Sequence, residues 1–97
     1  MSVTVIATLN LKPGLADTVL GGLKEMLPDT RAFQGCEDIH VVQNMDAPDT
    51  VILIEKWAAR SDHEAYMAWR TETGALAAMA EVMAEPPIFT YCSQTGI

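Results

Sequence analysis

Apolar residues recur at every second position through residues 3–11, where valine, alanine and leucine alternate with threonine, isoleucine and asparagine. This period of two predicts a β-strand, and Lys12-Pro13-Gly14 supplies the turn that ends it. The apolar residues that follow are spaced as one face of a helix. They are Ala16, Val19, Leu20, Leu23, Met26 and Leu27. Pro28 is expected to kink or end that helix, because proline lacks the backbone N–H.

Two further strands are predicted on either side of a turn at residues 45–49. The first is short, Ile39–Asn44, and the second is Thr50–Ala58, the most apolar of the chain. Large apolar residues occupy both faces along much of this third strand. A strand with one face in water would alternate more cleanly, so we expect the sheet to be covered on both sides.

The last third of the chain predicts two helical segments and a final strand. Ser61–Glu64 matches a capping box with the serine at the N-cap, and a helix follows it. Gly74 is expected to break this helix, and a second helical segment extends to about Ala84. Pro86-Pro87 ends that segment, and Ile88–Ser93 is the last strand.

The order of elements is strand, helix, strand, strand, helix, strand. It predicts an α+β fold, a ferredoxin-like split βαβ with a four-stranded antiparallel sheet, as one domain over residues 1–97. Helices on one side of such a sheet leave its other face bare, and that face would be apolar here. Two sheets that meet face to face would bury it, so we predict a homodimer, a dimeric α+β barrel.

Charge and composition limit what the protein is expected to bind and where in the cell it is expected to be. The chain has 13 acidic and 6 basic residues, a formal charge of −7, which disfavours binding to nucleic acid or to an anionic membrane surface. Neither a signal peptide nor an apolar run of ~18 residues is visible in the sequence. Cys36 and Cys92 are too few for a disulfide scaffold and are expected to be buried thiols. The default compartment is the cytoplasm.

Four segments together resemble one protein family. They are Leu11–Gly14, Thr30–Cys36, Ile54–Trp57 and Ser61–Trp69. In order and spacing the chain resembles, over almost its whole length, the antibiotic biosynthesis monooxygenase (ABM) domain group of the dimeric α+β barrel superfamily. The resemblance implies a dimeric barrel. It leaves the activity open, because members include cofactor-independent monooxygenases of anthrones and quinols, haem-degrading enzymes and isomerases.

The chain departs from the family pattern at positions that matter for a cofactor. Many members carry an alanine-histidine pair where this chain has Ala68-Trp69, and the iron ligand of haem-degrading members falls near Met79. A thioether is a poor substitute for imidazole in oxygen chemistry. His, Cys and acidic residues show no metal-ligand spacing, and no flavin or nicotinamide motif is present. We therefore predict no cofactor and no metal.

His40 and Glu55 are the candidate catalytic residues. His40 lies between apolar neighbours on the second strand, where it could serve as a base or hydrogen-bond a quinone oxygen; the alternative is a histidine packed at the sheet. Glu55 shares a strand face with apolar residues, so its carboxylate needs a partner or a raised pKa. It is either the base that takes a substrate proton or half of an ion pair with Arg31 or Arg70.

The candidate substrate-binding residues are Trp57, Tyr66, Trp69 and Met79, with packing in the core as the alternative. The aromatic rings could stack on a planar ligand, and four methionines on predicted helical faces would give a soft, adaptable wall. These are Met26, Met67, Met79 and Met83. His63, in the first turn of the second predicted helix, is interpreted as a solvated side chain.

The resemblance, taken with these residues, implies a cofactor-independent monooxygenase of a small aromatic, quinol or anthrone-like substrate. A base of the His40 or Glu55 type would assist deprotonation of the substrate, and oxygen would add to the resulting anion. The alternatives are a non-catalytic module that binds a small apolar or aromatic molecule, an isomerase on the same fold, and a structural dimer that supports a partner enzyme.

Overall fold

The computed structural model describes residues 2–97 as four strands and three helices. In chain order these are β1 (Val3–Asn10), α1 (Ala16–Ala32), β2 (Cys36–Gln43), β3 (Thr50–Trp57), α2 (Arg60–Glu72), α3 (Ala75–Val82) and β4 (Ile88–Ser93). Gly74, at φ 82°, separates α2 from α3 and takes the left-handed conformation that glycine adopts most readily. This order of elements confirms the predicted ferredoxin-like α+β fold. The helical region between β3 and β4 is divided at Gly74 into α2 and α3, as expected.

All strand pairs are antiparallel, and the sheet order is β2-β3-β1-β4. β1 is central and pairs with β3 on one side and with β4 on the other. Val5 of β1 is opposite Glu55 of β3 and also opposite Tyr91 of β4, while Ile39 of β2 is opposite Glu55. Because side chains at paired positions point to the same face, these four residues form one row across the sheet.

One face of the sheet carries the core. Buried residues alternate along β1 and β3, and α1 and α2 turn their own buried residues toward that face. On the opposite face Ile6, Ile52 and Ile54 are half-buried, whereas Val42 and Ile88 are 40% and 52% exposed. We call these five residues the open face. Within the single chain the helices therefore cover one side of the sheet, and the expected cover of its other side depends on a second copy.

Gly35 fixes the junction between β2 and α2. Its φ is 90°, and a Cβ at this position would collide with the side chain of Asp62. The carbonyl of Gly35 accepts a 2.8 Å hydrogen bond from the N–H of Ala58, just before α2 begins. A glycine is required here because the first turn of α2 packs directly on the backbone that enters β2.

Three local predictions were wrong in detail. α1 continues through Pro28 to Ala32, so the proline, which lies on the exposed side of the helix, does not end it. α2 begins at Arg60, with Ala59 at the N-cap and no side-chain cap, so Ser61 already lies inside the helix. β2 begins at Cys36, three residues before the predicted start at Ile39.

Other predictions concern the cysteines, the last strand and membrane spans. Cys36 and Cys92 are free and half-buried, so they are not the fully buried thiols that composition favours. Ile88–Ser93 forms a strand over the predicted range. Among residues 2–97, none of the helices is both long enough and apolar enough to cross a membrane.

Candidate functional site

A cavity of about 200 Å³ lies between the sheet and the helices. Its wall is almost entirely apolar, and four methionines contribute to it from α1, α2, α3 and the segment after α3. They are Met26, Met67, Met79 and Met83. The structure thus gathers all four predicted methionines at one cavity. Their flexible thioethers give it a wall that adapts to differently shaped apolar ligands.

Two ionisable side chains reach this apolar cavity, Glu55 from β3 and Arg70 from α2. Glu55 is 4% exposed, and its Oε1 accepts a 2.9 Å hydrogen bond from Nε1 of Trp57. Burial raises the pKa of Glu55 from 4.5 to about 7, although the indole hydrogen bond works in the opposite direction. Near neutral pH the carboxyl can therefore both accept and release a proton.

Arg70 is buried in the cavity wall without a carboxylate partner in the described part of the chain. Its Nε donates to the hydroxyl of Tyr66 at 2.9 Å, and one Nη donates to Thr30 Oγ1 and to the carbonyl of Met26, each at 3.1 Å. The guanidinium also lies 4.5 Å from the centre of the Trp69 ring. Neither Arg70 nor Arg31 forms the ion pair with Glu55 that the sequence suggested, because Arg70 is held by hydroxyl and carbonyl oxygens instead.

His63 lies on the other side of Glu55. Its side chain is 1% exposed, with Nε2 3.6 Å from Glu55 Oε1 and Nδ1 2.7 Å from the hydroxyl of Tyr91. Burial lowers the pKa of His63, and the nearby Glu64 carboxylate opposes that shift. The prediction of a solvated first-turn histidine was wrong, because α2 presses this turn onto the row that contains Glu55 and Tyr91.

Four aromatic rings form a cluster next to the cavity, namely Phe33, Trp57, Tyr66 and Trp69. Phe33 is central, with ring centres 6.3, 5.3 and 5.4 Å from those of Trp57, Tyr66 and Trp69. Tyr66 lines the cavity directly, as does Met79, whereas Trp57 and Trp69 support it from behind. Trp57 is fully buried and Trp69 half-buried. Of the four candidate substrate-binding residues, two reach the cavity and two form its support.

His40 lies apart from the cavity. It is next to Ile39 on β2, and alternation along the strand directs it to the opposite face, where it pairs with Ile54. Its side chain is 54% exposed, and Nδ1 lies 3.6 Å from a carboxylate oxygen of Asp38. The structure does not bring the two candidate catalytic residues together.

Sequence reasoning missed His63, Tyr91 and the cavity-facing position of Arg70. A signal was available for two of them, because His63, Tyr66 and Arg70 are spaced three and four residues apart and therefore share one face of a helix. The position of Tyr91 depends on the pairing of β4 with β1, for which the sequence carries no local signal. Among residues 2–97 there is no group of three or more His, Cys, Asp or Glu side chains placed to hold a metal ion.

Comparisons with known proteins agree with this architecture. The model of the antibiotic biosynthesis monooxygenase family matches residues 2–81, whereas no curated protein sequence matches. The fold matches Rv0793 from Mycobacterium tuberculosis with a TM-score of 0.83, at 21% identity over 97% of this chain and 95% of that one. It matches a conserved protein from Methanosarcina mazei with a TM-score of 0.87, at 16% identity over 98% and 94%. A crystal structure titled antibiotic biosynthesis monooxygenase gives 0.84, at 20% identity over 96% and 98%.

Proposed function

The chain belongs to the antibiotic biosynthesis monooxygenase family, and we propose on that premise that it is a cofactor-independent monooxygenase. Its substrate is a small, mostly apolar quinol or anthrone-like molecule that binds in the cavity between sheet and helices. One observation carries the proposal: Glu55, a buried acid with its pKa raised to about 7, reaches an apolar cavity that also holds an unpaired arginine. This arrangement provides a base and an anion-stabilising group in a site with little water.

Glu55 acts as the base in this proposal. For an anthrone-like substrate, its carboxylate takes a proton from the acidic CH₂ group, and the resulting carbanion forms a bond to one atom of O₂. Glu55 returns the proton to give a hydroperoxide. Loss of the second C–H proton with cleavage of the O–O bond leaves a ketone and releases the outer oxygen as water. The carbon loses four electrons and O₂ gains four, so substrate and O₂ balance without a further reductant.

Arg70 and Tyr66 hold the substrate oxygen. Deprotonation of the carbon places negative charge on the conjugated carbonyl oxygen, and a buried guanidinium stabilises such an oxyanion strongly in an apolar site. Arg70 is kept in place by Tyr66, Thr30 and the Met26 carbonyl, so it is oriented before the substrate binds. The methionines contact the hydrocarbon part of the substrate and tolerate variation in its shape.

A homodimer is also part of the proposal. The open face offers a second copy an apolar surface centred on Ile6, Ile52 and Ile54, and burial of such a surface drives association. His40 lies in the same row as Ile54 and Ile6, so this proposal places it at the contact between copies and not in the reaction.

Oxygen uptake by chelator-treated protein, measured with a panel of hydroquinones and anthrones, tests the proposed function. We expect uptake above the spontaneous rate, and a loss of roughly 10²–10⁴-fold in the Glu55→Gln variant, the range for removal of a general base. The matched variant His40→Gln changes a titratable residue outside the cavity and should retain turnover. If calorimetry shows that panel members bind without oxygen uptake, the proposed reaction is overturned in favour of a non-catalytic binding protein.

A further inference from the structure

His63 and Tyr91 connect the buried Glu55 carboxyl with the outer strand of the sheet. Glu55 on β3 and Tyr91 on β4 are both paired with Val5 of β1, so they lie in one row on the helix-facing side. The His63 ring spans this row, with Nε2 3.6 Å from Glu55 Oε1 and Nδ1 2.7 Å from Tyr91 Oη. Tyr91 is half-buried on an edge strand, and the exposed Arg60 stacks on its ring at 4.0 Å.

The Nε2 atom of His63 is buried without a hydrogen-bond partner in residues 2–97. A buried polar atom without a partner is unfavourable, and this one faces an acid 3.6 Å away. A small side-chain movement would close that gap to a hydrogen bond in either protonation state of Glu55. A protonated carboxyl would donate to Nε2, and an ionised carboxylate would accept from Nε2–H.

We propose that His63 and Tyr91 form a proton path between Glu55 and solvent. The proposal rests on the assignment of Glu55 as the base under the proposed function. The Glu55 O–H gives its proton to Nε2, Nδ1–H gives its proton to Tyr91 Oη, and the tyrosine hydroxyl releases its own proton to water. His63 and Tyr91 each lose one proton as they gain one, so the net change is an ionised Glu55 and one proton in solvent.

The reaction needs such a path because Glu55 has little other access to water. At neutral pH a carboxyl whose pKa is about 7 is protonated in about half of the molecules, and these must lose the proton before Glu55 can act as base. A substrate in the apolar cavity closes that side of the carboxyl. Within the described residues, Glu55 has one side-chain hydrogen bond, from the indole N–H of Trp57. An indole nitrogen donates but cannot accept a proton, so Trp57 cannot relay one.

Burial favours a neutral His63 ring. Desolvation lowers its pKa and outweighs the opposing effect of Glu64 on the exposed side of α2. The path therefore passes a proton between two neutral tautomers and does not store it as an imidazolium.

The titratable groups at the two ends of the path, Tyr91 and the Cys36 thiol beside Glu55, also stay neutral. Burial raises the pKa of Tyr91, with Glu64 and Glu55 acting in the same sense and Arg60 in the opposite one, so the hydroxyl stays neutral. From β2, burial and the Glu55 carboxylate both raise the pKa of the Cys36 thiol, which likewise keeps it neutral beside the base.

¹⁵N NMR of the histidine rings in ligand-free protein tests the path without any substrate. Over the pH range in which Glu55 ionises, with a midpoint near pH 7, we expect His63 to change from the Nδ1–H to the Nε2–H tautomer without forming an imidazolium. Glu55→Gln should abolish this change, and His40→Gln assigns the signals by removing the other ring. A single tautomer throughout, or formation of an imidazolium in this range, would overturn the proposal.

Tyr91→Phe tests the path during turnover, because it removes the hydroxyl and keeps the ring on which Arg60 stacks. We expect kcat to fall roughly tenfold or more with KM little changed, and added imidazole to restore part of kcat as an external proton carrier. The control variant Arg60→Gln keeps the hydroxyl and should retain turnover. An unchanged kcat in Tyr91→Phe would overturn the path while leaving Glu55 as the base. Absence of wild-type uptake would instead overturn the proposed function, and the tautomer measurement would still decide the path.

Discussion

Trp57 Nε1 donates a 2.9 Å hydrogen bond to Glu55 Oε1, two residues earlier on the same strand face. The bond favours the ionised carboxylate, yet burial outweighs it and the pKa of Glu55 still rises to about 7. Two opposing effects therefore set the pKa of Glu55: desolvation favours the protonated carboxyl, and the hydrogen bond from Trp57 favours the carboxylate. Each change that shifts this balance has a measurable consequence for the pH dependence of the protein.

Removal of the indole donor shifts the pH at which Glu55 ionises. In Trp57→Phe the Glu55 carboxylate loses a charge-assisted hydrogen bond, which is worth about 1.5–3 kcal/mol. This loss raises the pKa of Glu55 by about one to two units. We expect the acidic limb of the kcat/KM profile to move upward by that amount. Trp69→Phe is the matched control, since Trp69 makes no hydrogen bond to Glu55, and its profile should follow the wild type. An unmoved limb in Trp57→Phe would contradict the assignment of this limb to Glu55.

Glu55 also makes folding stability fall as the pH rises. Its folded pKa of about 7 lies above the unfolded value of 4.5, so between these values the unfolded chain loses a proton that the folded protein keeps. The free energy of unfolding decreases through this window by up to ~3 kcal/mol and then levels off above pH 7. His63 acts in the opposite sense, because its lowered pKa removes stability as the pH falls below 6.5.

Glu55→Gln separates the two contributions. Urea unfolding at fixed protein concentration should give similar free energies of unfolding for the variant and the wild type near pH 5. Near pH 8 the variant should be more stable, by an amount that approaches ~3 kcal/mol. The exposed Glu81→Gln on α3 is the matched control and should follow the wild type at both pH values. A Glu55→Gln variant whose advantage is the same at both pH values would show that Glu55 ionises normally in the folded state.

Some of this site was predictable because strand periodicity reports which residues share a face. Alternation alone places Glu55 and Trp57 on one strand face, and helical periodicity places the methionines on the apolar faces of their predicted helices. Tertiary packing brings those faces together at one cavity. The burial of His63 was not predictable in the same way. A histidine in the first turn of a helix is solvated or buried according to what that turn packs against. Here it packs against a row assembled from four strands that are separate in sequence. The periodicity that buries Ile39 also directs its neighbour His40 to the other face of the sheet, away from the cavity.

The cavity itself can be tested by filling it. Met79 lies on α3, which contributes no fully buried residue, so Met79→Trp should occupy part of the ~200 Å³ at little cost in stability. We expect the affinity for panel hydroquinones, measured by calorimetry, to fall at least tenfold. Met45→Trp makes the same substitution at a side chain that is 94% exposed and should bind as the wild type does. Equal binding by both variants would place the ligand outside this cavity.

The homodimer depends on whether the open face is buried by a second copy. Ile54 lies at the middle of this face, where it pairs with Ile6 on one side and His40 on the other. Ile54→Lys would place a charge in an apolar contact, and a buried unpaired ammonium is strongly unfavourable. Light scattering at micromolar concentration should therefore give about twice the 10.5 kDa chain mass for the wild type and the single-chain mass for the variant. Ala77→Lys adds the same charge to the exposed side of α3 and should stay dimeric, whereas a monomeric wild type would mean that the open face remains in contact with water.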